Sequence, residues 1–314
     1  MSRSLIPAAL HYFDRVAATG SIQAAARAQN IAASAIDRQI IGLESRLGVK
    51  LFDRVPKGMR LTAAGEALVR LVHRWRAEER NAVAEIFQLQ GVQQGQVNIF
   101  AMDSHATTIL PELVQIVAAA HPLISLSIQI GSTDEAAAAL ISGQADLVIA
   151  FNLPPRSEIR SLWSTPLPFG CVVAPHHALL RQATVRFQDV ISYPIALQSR
   201  SLQIRRFLEV QYSWLFAEPH GRVETNSLHL VKNLARSGNY VAFTSELDAA
   251  TELADGSLRF LPLREIDALP QSADIAVDAS KSLNALVQIV AEQAAVVIER
   301  ALDAARTEPA RGVG

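Results

Sequence analysis

Several residue combinations in this chain could support catalysis or metal binding, but their spacing argues against both. Asp103, Ser104 and His105 are the three residue types of a hydrolase triad, yet a triad is assembled from distant segments, and neighbours in sequence cannot adopt its geometry. His176 and His177 follow a proline in a predicted loop and form no metal-ligand pattern. The chain also lacks a phosphate-binding loop, a dinucleotide-binding glycine pattern and a zinc-protease motif. We therefore predict no catalytic residue, no metal and no cofactor.

Polar side chains at predicted strand ends could instead bind a small molecule. Ser104 ends one strand, and Ser132 and Thr133 follow the next, each just before a predicted helix. Ligands of open α/β sheets bind beyond the carboxyl ends of strands, where helix N-termini present free N–H groups to anions. A small organic acid is thus the ligand class we favour. The alternative for Ser132 is a capping box with Glu135.

A second set of polar residues follows later strands. Arg200 is the obvious partner for a carboxylate, although an exposed surface arginine is the more common situation. The complete set of candidate ligand-binding residues is Ser104, Ser132, Thr133, Phe151, Ser199, Arg200, Ser201, Asn226 and Thr244.

Composition places the chain among globular intracellular proteins. Its 314 residues are 50% hydrophobic and 19% charged, enough apolar material for two domains. The single cysteine, Cys171, excludes an intrachain disulfide and lies in an apolar run that indicates buried packing. Because no secretion signal and no membrane-length apolar stretch is recognisable, we expect a soluble, cytoplasmic protein with no membrane partner.

The net charge of −1 hides an uneven distribution. Residues 1–60 contain nine Lys or Arg and four Asp or Glu, whereas the remainder contains 20 and 26. A small basic region attached to a larger acidic body is the pattern expected of one DNA-facing domain.

The first 61 residues predict three helices followed by a hairpin. Apolar residues recur at helical spacing, Gly20 and Gly48 end helices, and Ser21 can cap the second helix. A turn rich in charge, Pro and Gly then joins two extended pieces. The predicted elements are helices 5–18, 21–28 and 33–47 and strands 49–53 and 59–62. This order is that of a winged helix-turn-helix domain, which we assign to residues 1–61.

One proline-free helix is predicted from residue 62 to residue 90. Its apolar positions follow alternating steps of four and three, interrupted by Glu79, which is the period of a helix that pairs with another helix. Packing against its own domain is the alternative, but so long a helix extends beyond a 60-residue domain. We assign 62–90 to a dimerising linker helix and 91–95 to a hinge. The apolar positions are Leu68, Val72, Trp75, Ala82, Ile86 and Leu89.

Beyond the hinge, strands and helices alternate, which is typical of α/β layers with parallel strands. We predict an α/β domain at 96–304 with two lobes, 96–165 plus 265–304 and 166–264, and a tail at 305–314. The predicted strands lie near 96–102, 125–131, 145–151, 169–175, 194–198, 221–226, 239–245 and 257–263, and the helices near 108–120, 134–142, 200–214, 227–237 and 283–302.

Dense motifs in the first 65 residues resemble the LysR-type transcriptional regulators. They are Tyr12-Phe13, Val16-Ala17, Gly20-Ser21 and Ala24-Ala25-Ala26, then Ser34 to Ile40, Leu43-Glu44 and Leu47 to Arg54, and finally Leu61-Thr62 with Gly65. Later pairs and runs are similar to that family's effector domain, namely Leu110-Pro111, His121-Pro122 and Gly143 to Leu147.

The resemblance implies an all-α head with a β-wing, a dimerising linker helix and a two-lobed α/β effector domain similar to periplasmic solute-binding proteins. It also implies a homodimer or homotetramer that binds double-stranded promoter DNA at a partly palindromic site. One departure concerns the recognition helix, where Ala32-Ala33-Ser34 replaces the usual Ser-Gln-Pro and Asp37 replaces a serine. Another is Gly238-Asn239-Tyr240, which replaces a Gly-x-Gly turn and could narrow the pocket.

The recognition helix, 33–47, would enter the major groove, where side chains near its N-terminus meet base edges. Ser34 could bond to a base or a phosphate, or cap the helix. Asp37 could accept from a cytosine amine, or simply favour the helix N-terminus. Arg38 could bond to phosphate or guanine, and charges in the wing turn to phosphates. The candidate DNA-binding residues are Ser21, Ala33, Ser34, Asp37, Arg38, Arg54, Lys57 and Arg60.

We therefore predict a DNA-binding transcriptional regulator whose activity is modulated by a small-molecule effector. Two alternatives stay open at this point. A metabolite-binding enzyme would require convergent acid, base or nucleophile groups at strand ends. An architectural DNA-binding protein with a vestigial pocket would show weak sequence preference and bind no metabolite.

Overall fold

The computed structural model describes residues 5–56, 58–199, 205, 208–210, 223–263 and 271–307. Three predicted site residues, Lys57, Arg200 and Ser201, lie outside the described residues. The chain forms two compact units, and each is described by itself. The first comprises Met1–Gly95 with Ile141–Gln144, and the second comprises Gln96–Leu140 with Ala145–Gly314. Within the described ranges, no helix combines the length and the apolar character that crossing a membrane requires.

The first unit confirms a winged helix-turn-helix followed by a long helix. Apolar side chains of the first three helices meet in one core, in which Phe13 and Ile36 are fully buried and the ring of Phe13 lies 5.2 Å from that of Phe52. Gly20 ends the first helix in the left-handed region (φ 63°), a conformation that glycine adopts without strain. The elements are α1 Ala8–Thr19, α2 Ile22–Gln29, α3 Ala33–Leu47, β1 Phe52–Val55, β2 Gly58–Leu61 and α4 Ala63–Leu89.

The first wing strand begins three residues later than predicted, at Phe52. The reason is the carboxylate of Glu44 on α3, which accepts backbone N–H bonds from Leu51 at 2.9 Å and Phe52 at 3.4 Å. The N–H of Leu51 is therefore bonded to a helix side chain, while its carbonyl accepts from the Thr62 N–H at 3.0 Å. From Phe52 onward the hairpin is regular and antiparallel, with Phe52 opposite Leu61.

The second unit contains two five-stranded sheets with helices packed around them. The first sheet has the order β4-β3-β5-β12-β6, and the second has the order β11-β7-β10-β8-β9. The strands are β3 Gly95–Ala101, β4 Ile124–Ile130, β5 Leu147–Phe151, β6 Ile159–Leu167, β7 Gly170–Val173, β8 Ile195–Gln198, β9 Val223–Thr225, β10 Val241–Phe243, β11 Arg259–Pro262 and β12 Gln271–Asp278. The helices are α5 His105–Ala120, α6 Thr133–Ser142, α7 Phe187–Val190, α8 Leu228–Arg236, α9 Ala250–Ala254 and α10 Ala285–Arg306, and a 3₁₀ turn spans Ala178–Arg181.

The prediction of parallel sheets is wrong in part, because both sheets are mixed. Strand β12 runs antiparallel to both β5 and β6, and β7 runs antiparallel to β10 and β11. Strands β6 and β12 were also not predicted. In β12 the buried Asp274 interrupts the apolar pattern, but the hydroxyls of Ser164 and Ser272 donate to it at 2.6 and 2.7 Å. Such cross-strand compensation leaves no local signal in the sequence.

Helix α10 extends to Arg306 and so includes the first two residues of the predicted tail. It packs against α5, beside the first sheet, and against α9, beside the second. Asn284 caps its N-terminus by accepting from the Leu286 N–H at 2.7 Å. The C-terminal helix therefore contacts helices of both lobes. Most of the predicted helix 200–214 lies outside the described residues.

Candidate nucleic-acid interface and effector site

Helix α3 presents a polar face to solvent while its apolar face fills the core of the first unit. Ile36 and Ile40 are buried, and Ser34 and Arg38 are exposed. The capping alternative for Ser34 is wrong, because Ala32 occupies the N-cap position and no side chain caps the helix. The Ser34 hydroxyl thus lies on the outer face of the first turn, where a recognition helix meets base edges.

Asp37 on α3 pairs with the wing residue Arg54. The guanidinium Nη2 of Arg54 donates to Oδ1 of Asp37 at 2.8 Å, and both side chains stay partly exposed. The carboxylate therefore connects the recognition helix to the base of the wing. This contact is neither of the two roles that the sequence suggested for Asp37, base readout and stabilisation of the helix N-terminus. Arg60 makes a second exposed pair, 3.3 Å from Asp53 across the hairpin.

The two smaller DNA candidates have structural contacts. The Ser21 hydroxyl accepts from the backbone N–H of Ala24 at 3.3 Å and caps α2, as its position predicted. Ala33 packs partly against the core of the first unit. Ser34, Arg38, Arg54 and Arg60 are the DNA candidates of the described part whose polar side chains are exposed.

In the second unit, some candidate residues of the first lobe already form hydrogen bonds within the chain, and one does not. The capping alternative for Ser132 is confirmed, because Glu135 accepts from the Ser132 N–H at 2.7 Å while its own N–H donates to the Ser132 hydroxyl at 3.3 Å. Thr133 is buried and its hydroxyl donates to the carbonyl of Phe151 at 3.2 Å. In contrast, the Ser104 hydroxyl is buried and has no hydrogen-bond partner in the described part of the chain.

His105 follows Ser104 and opens α5. Its ring is fully buried, lies 4.8 Å from the ring of Phe151, and has neither nitrogen hydrogen-bonded within the described residues. Burial lowers its pKa to about 4, so the imidazole is neutral at physiological pH. Sequence reasoning named His105 only as part of a rejected triad and missed it as a group lining this end of the sheet.

The candidates on the second lobe are more dispersed. Ser199 donates its backbone N–H to the carbonyl of Thr225 at 2.8 Å, and Asn226 is exposed. Thr244 is fully buried, and its hydroxyl donates to Oδ2 of Asp248 at 3.1 Å.

Asp248, between β10 and α9, is the group that sequence reasoning missed most clearly. Burial raises its pKa, an effect that the nearby hydroxyls of Ser104, Ser245 and Thr244 only partly offset. Ser104 belongs to the first lobe, so the Asp248 carboxylate faces a hydroxyl from the opposite lobe. The spacing Ser245-x-x-Asp248 is that of a capping box, and the Asp248 N–H does donate to the Ser245 hydroxyl at 3.0 Å. That spacing is the signal that could have identified the residue.

Other reactive side chains of the described part are structural. Cys171 is completely buried in β7. His177 caps the 3₁₀ turn by accepting from the Leu179 N–H at 3.3 Å. Within the described ranges, no group of three or more His, Cys, Asp or Glu is arranged to hold a metal ion.

Two family models match the chain and together cover most of it. Residues 7–66 match the bacterial regulatory helix-turn-helix protein, lysR family, and residues 90–296 match the LysR substrate binding domain. A curated relative from Trichormus variabilis, a probable RuBisCO transcriptional regulator, is 27% identical over 261 residues, which are 81% of this chain and 77% of the relative.

Solved structures show the same fold. Full-length OxyR from Pseudomonas aeruginosa carrying a cysteine-to-aspartate substitution has a TM-score of 0.67 at 20% identity and covers 91% of this chain and 93% of its own. Full-length CbnR in complex with its target DNA has a TM-score of 0.59 at 18% identity, covering 94% and 99%. The chain belongs to the LysR family of transcriptional regulators, with a helix-turn-helix DNA-binding domain followed by an effector-binding domain.

Proposed function

We propose that this regulator is a cytoplasmic homodimer or homotetramer that binds promoter DNA through α3 and the wing and changes activity when a small effector binds between its lobes. In this proposal residues 1–61 are the DNA-binding domain, 62–90 the dimerising helix, 91–95 the hinge and 96–304 the effector domain. It acts by binding and not by catalysis.

One observation carries the DNA-binding part of the proposal. The outer face of α3 presents Ser34 and Arg38 to solvent, and Arg54 from the wing is held beside that helix by Asp37. A guanidinium can read guanine or bind phosphate, whereas wing arginines supply phosphate contacts that set affinity. The solved CbnR complex, which has the same fold, contains its target DNA.

Dimerisation is supported by the outer half of α4. Leu68 and Val72 pack in the core of the first unit, whereas Trp75, Ile86 and Leu89 on the same stripe are exposed. An apolar stripe with coiled-coil spacing that its own unit leaves uncovered suits a second copy of the helix.

The effector part is supported by buried polar atoms at the start of α5 that have no hydrogen-bond partner within the described residues. They are the Ser104 hydroxyl and the ring nitrogens of His105. An effector can regulate only through different affinities for two arrangements of the protein, and a site shared by two lobes meets that condition. The expectation of an organic acid rested on serines at helix N-termini. Because the α6 terminus already holds the Glu135 carboxylate, the support for an acid reduces to Ser104.

The test is a genome-wide pull-down of DNA fragments by the full chain, repeated with Arg38→Ala across a salt series. We expect a few promoter-proximal, partly palindromic sites that the variant loses. The matched control is Arg46→Ala, which removes the same charge from the exposed C-terminal end of α3 and should retain the sites. Diffuse enrichment that Arg38→Ala does not change would overturn the proposal and favour an architectural role.

A further inference from the structure

Asp248, at the proposed effector site, is a carboxylate that pairs with no cation in the described part of the chain. Thr244 donates to Oδ2 of Asp248, but the buried Oδ1 accepts no hydrogen bond in the described part of the chain. Buried charges are ordinarily paired, because an isolated carboxylate taken out of water is strongly destabilised. The lack of a hydrogen bond to Oδ1 therefore needs an explanation.

Two described cations of this region bind carboxylates other than Asp248. The Lys232 ammonium lies 2.8 Å from Oε1 of Glu252, and it also donates to the main-chain carbonyl of Asp248 at 3.0 Å. Arg306 binds Glu246. Neither of these cations pairs with the Asp248 carboxylate, which has no cationic partner in the described part of the chain.

An unpartnered hydroxyl also faces Asp248 from the opposite lobe, and a buried imidazole with no partner in the described part of the chain lies next to it in sequence. The Ser104 hydroxyl is close enough to lower the pKa of Asp248, yet the two groups form no hydrogen bond of normal geometry. His105, the next residue, is fully buried with both ring nitrogens unpartnered. Each buried polar atom that lacks a hydrogen bond destabilises the fold. Native structures retain such atoms mainly where a ligand or water supplies the missing hydrogen bond.

We propose that Asp248 and Ser104 bind a protonated amine of the effector, so that the ligand is a small primary amine or an amino acid. This inference rests on the proposed effector site. An ammonium group has three donors and no acceptor, which matches a carboxylate and a hydroxyl oxygen that both accept. A ligand with only carboxylates would place like charges next to each other, and Glu135 already occupies the neighbouring α6 terminus.

The first experiment needs no ligand. It compares the melting temperature of the full chain with that of Asp248→Asn, which keeps the shape and an acceptor for Thr244. Burial raises the Asp248 pKa, so its ionisation destabilises the fold increasingly as the pH rises above about 4. We expect the variant to melt about 2–4 °C higher at pH 8, with a smaller difference at pH 5. The control is Asp103→Asn, an exposed residue beside Ser104, which should change neither value. An unchanged melting temperature of Asp248→Asn at pH 8 would contradict the inference.

The second experiment measures binding. The probes share a four-carbon skeleton, 1,4-diaminobutane, 4-aminobutanoate and butanedioate, and the twenty standard amino acids extend the panel. We expect every stabilising compound to carry an amine and to bind Asp248→Asn about 30-fold or more weakly, whereas Asp103→Asn binds normally. Stabilisation by butanedioate alone, equal in both variants, would overturn the inference, and so would a panel in which no amine stabilises the chain.

The DNA pull-down separates this inference from the proposed function. If the chain retains selective promoter sites while only acids stabilise it, the regulator stands and the amine site fails. If the selective sites are absent, the proposed function itself fails.

Discussion

Nε2 of His73 lies 2.7 Å from Oδ1 of Asp14, and Arg76 binds the other oxygen of the same carboxylate. Asp14 is on α1, whereas His73 and Arg76 are on α4, so one buried carboxylate connects the helix-turn-helix to the linker helix. Burial raises the Asp14 pKa, but the hydrogen bond from His73 and the positive charge of Arg76 outweigh burial and hold the pKa below its ordinary value. The linker helix is thereby anchored to the head by charge as well as by apolar packing.

We expect Asp14→Asn to lower the free energy of unfolding by about 3 kcal/mol at pH 7, because it leaves buried donors without their charged acceptor. A depressed carboxyl pKa stabilises the fold above about pH 4, and the contribution is lost as the pH falls through the folded-state value. The difference between wild type and variant should therefore shrink in acid. Chemical denaturation at pH 7 and pH 3.5 measures both effects.

The matched control is Asp53→Asn, whose exposed pair with Arg60 should be worth less than about 1 kcal/mol. If Asp14→Asn costs no more than this control, the network does not anchor α4.

The pair formed by Arg54 and Asp37 predicts an effect on DNA affinity. Asp37→Asn removes a negative charge from the DNA-facing surface and releases Arg54, so we expect tighter binding to random DNA and a salt slope about one unit steeper. Arg54→Ala should weaken binding to all sequences alike and make the slope shallower. Fluorescence anisotropy over a salt series measures both.

Direct base readout by Asp37 makes the opposite prediction. In that case Asp37→Asn would weaken binding to the selected promoter site, change one base preference and leave random DNA unaffected. Testing the same labelled fragments with single base changes separates the two roles.

Sequence patterns were sufficient for the elements whose packing is local. Helices α1 to α4 follow from periodic apolar residues and from caps such as Ser21, because those interactions lie within a few residues of each other. Strand β12 could not be predicted, since its buried Asp274 is tolerated only through the Ser164 hydroxyl on a strand more than one hundred residues away.

In the candidate site, too, contacts between residues close in sequence could be predicted and contacts between distant segments could not. Ser132 was correctly recognised as a potential cap because its partner lies three residues away. The spacing Ser245-x-x-Asp248 could have identified Asp248 as a capping residue, but nothing near it in sequence indicates that Ser104 will face it from another lobe. The pairing of Asp37 with Arg54 was missed for the same reason, since it joins a helix to a hairpin.

The exposed stripe of α4 predicts the oligomeric state. Ile86 is 53% exposed on the stripe that also carries Trp75 and Leu89. We expect Ile86→Lys to dissociate the dimer at micromolar concentration and to weaken promoter binding at least about tenfold, because two linked heads bind more tightly than one. Analytical ultracentrifugation measures the mass.

Gln88→Lys is the control for this variant. It adds the same charge at the same end of α4 but on the opposite face, and Gln88 is exposed. Equal dissociation by both variants would point to general charge repulsion and not to a paired stripe.

The burial of Cys171 predicts that its thiol is unreactive in the folded chain and does not sense oxidants. The side chain is fully buried in β7, between Phe243 of β10 and Leu261 of β11, and burial raises the thiol pKa to about 12. At neutral pH the reactive thiolate is then about a thousandfold rarer than for an ordinary thiol. We expect no labelling of the folded chain by Ellman's reagent, full labelling in guanidinium, and promoter binding that millimolar hydrogen peroxide leaves unchanged. Because Cys171 is the chain's single cysteine, rapid labelling of the native protein would show that β7 opens and would make a thiol signal possible. Slow labelling that follows global unfolding would exclude Cys171 as a redox sensor of the folded protein.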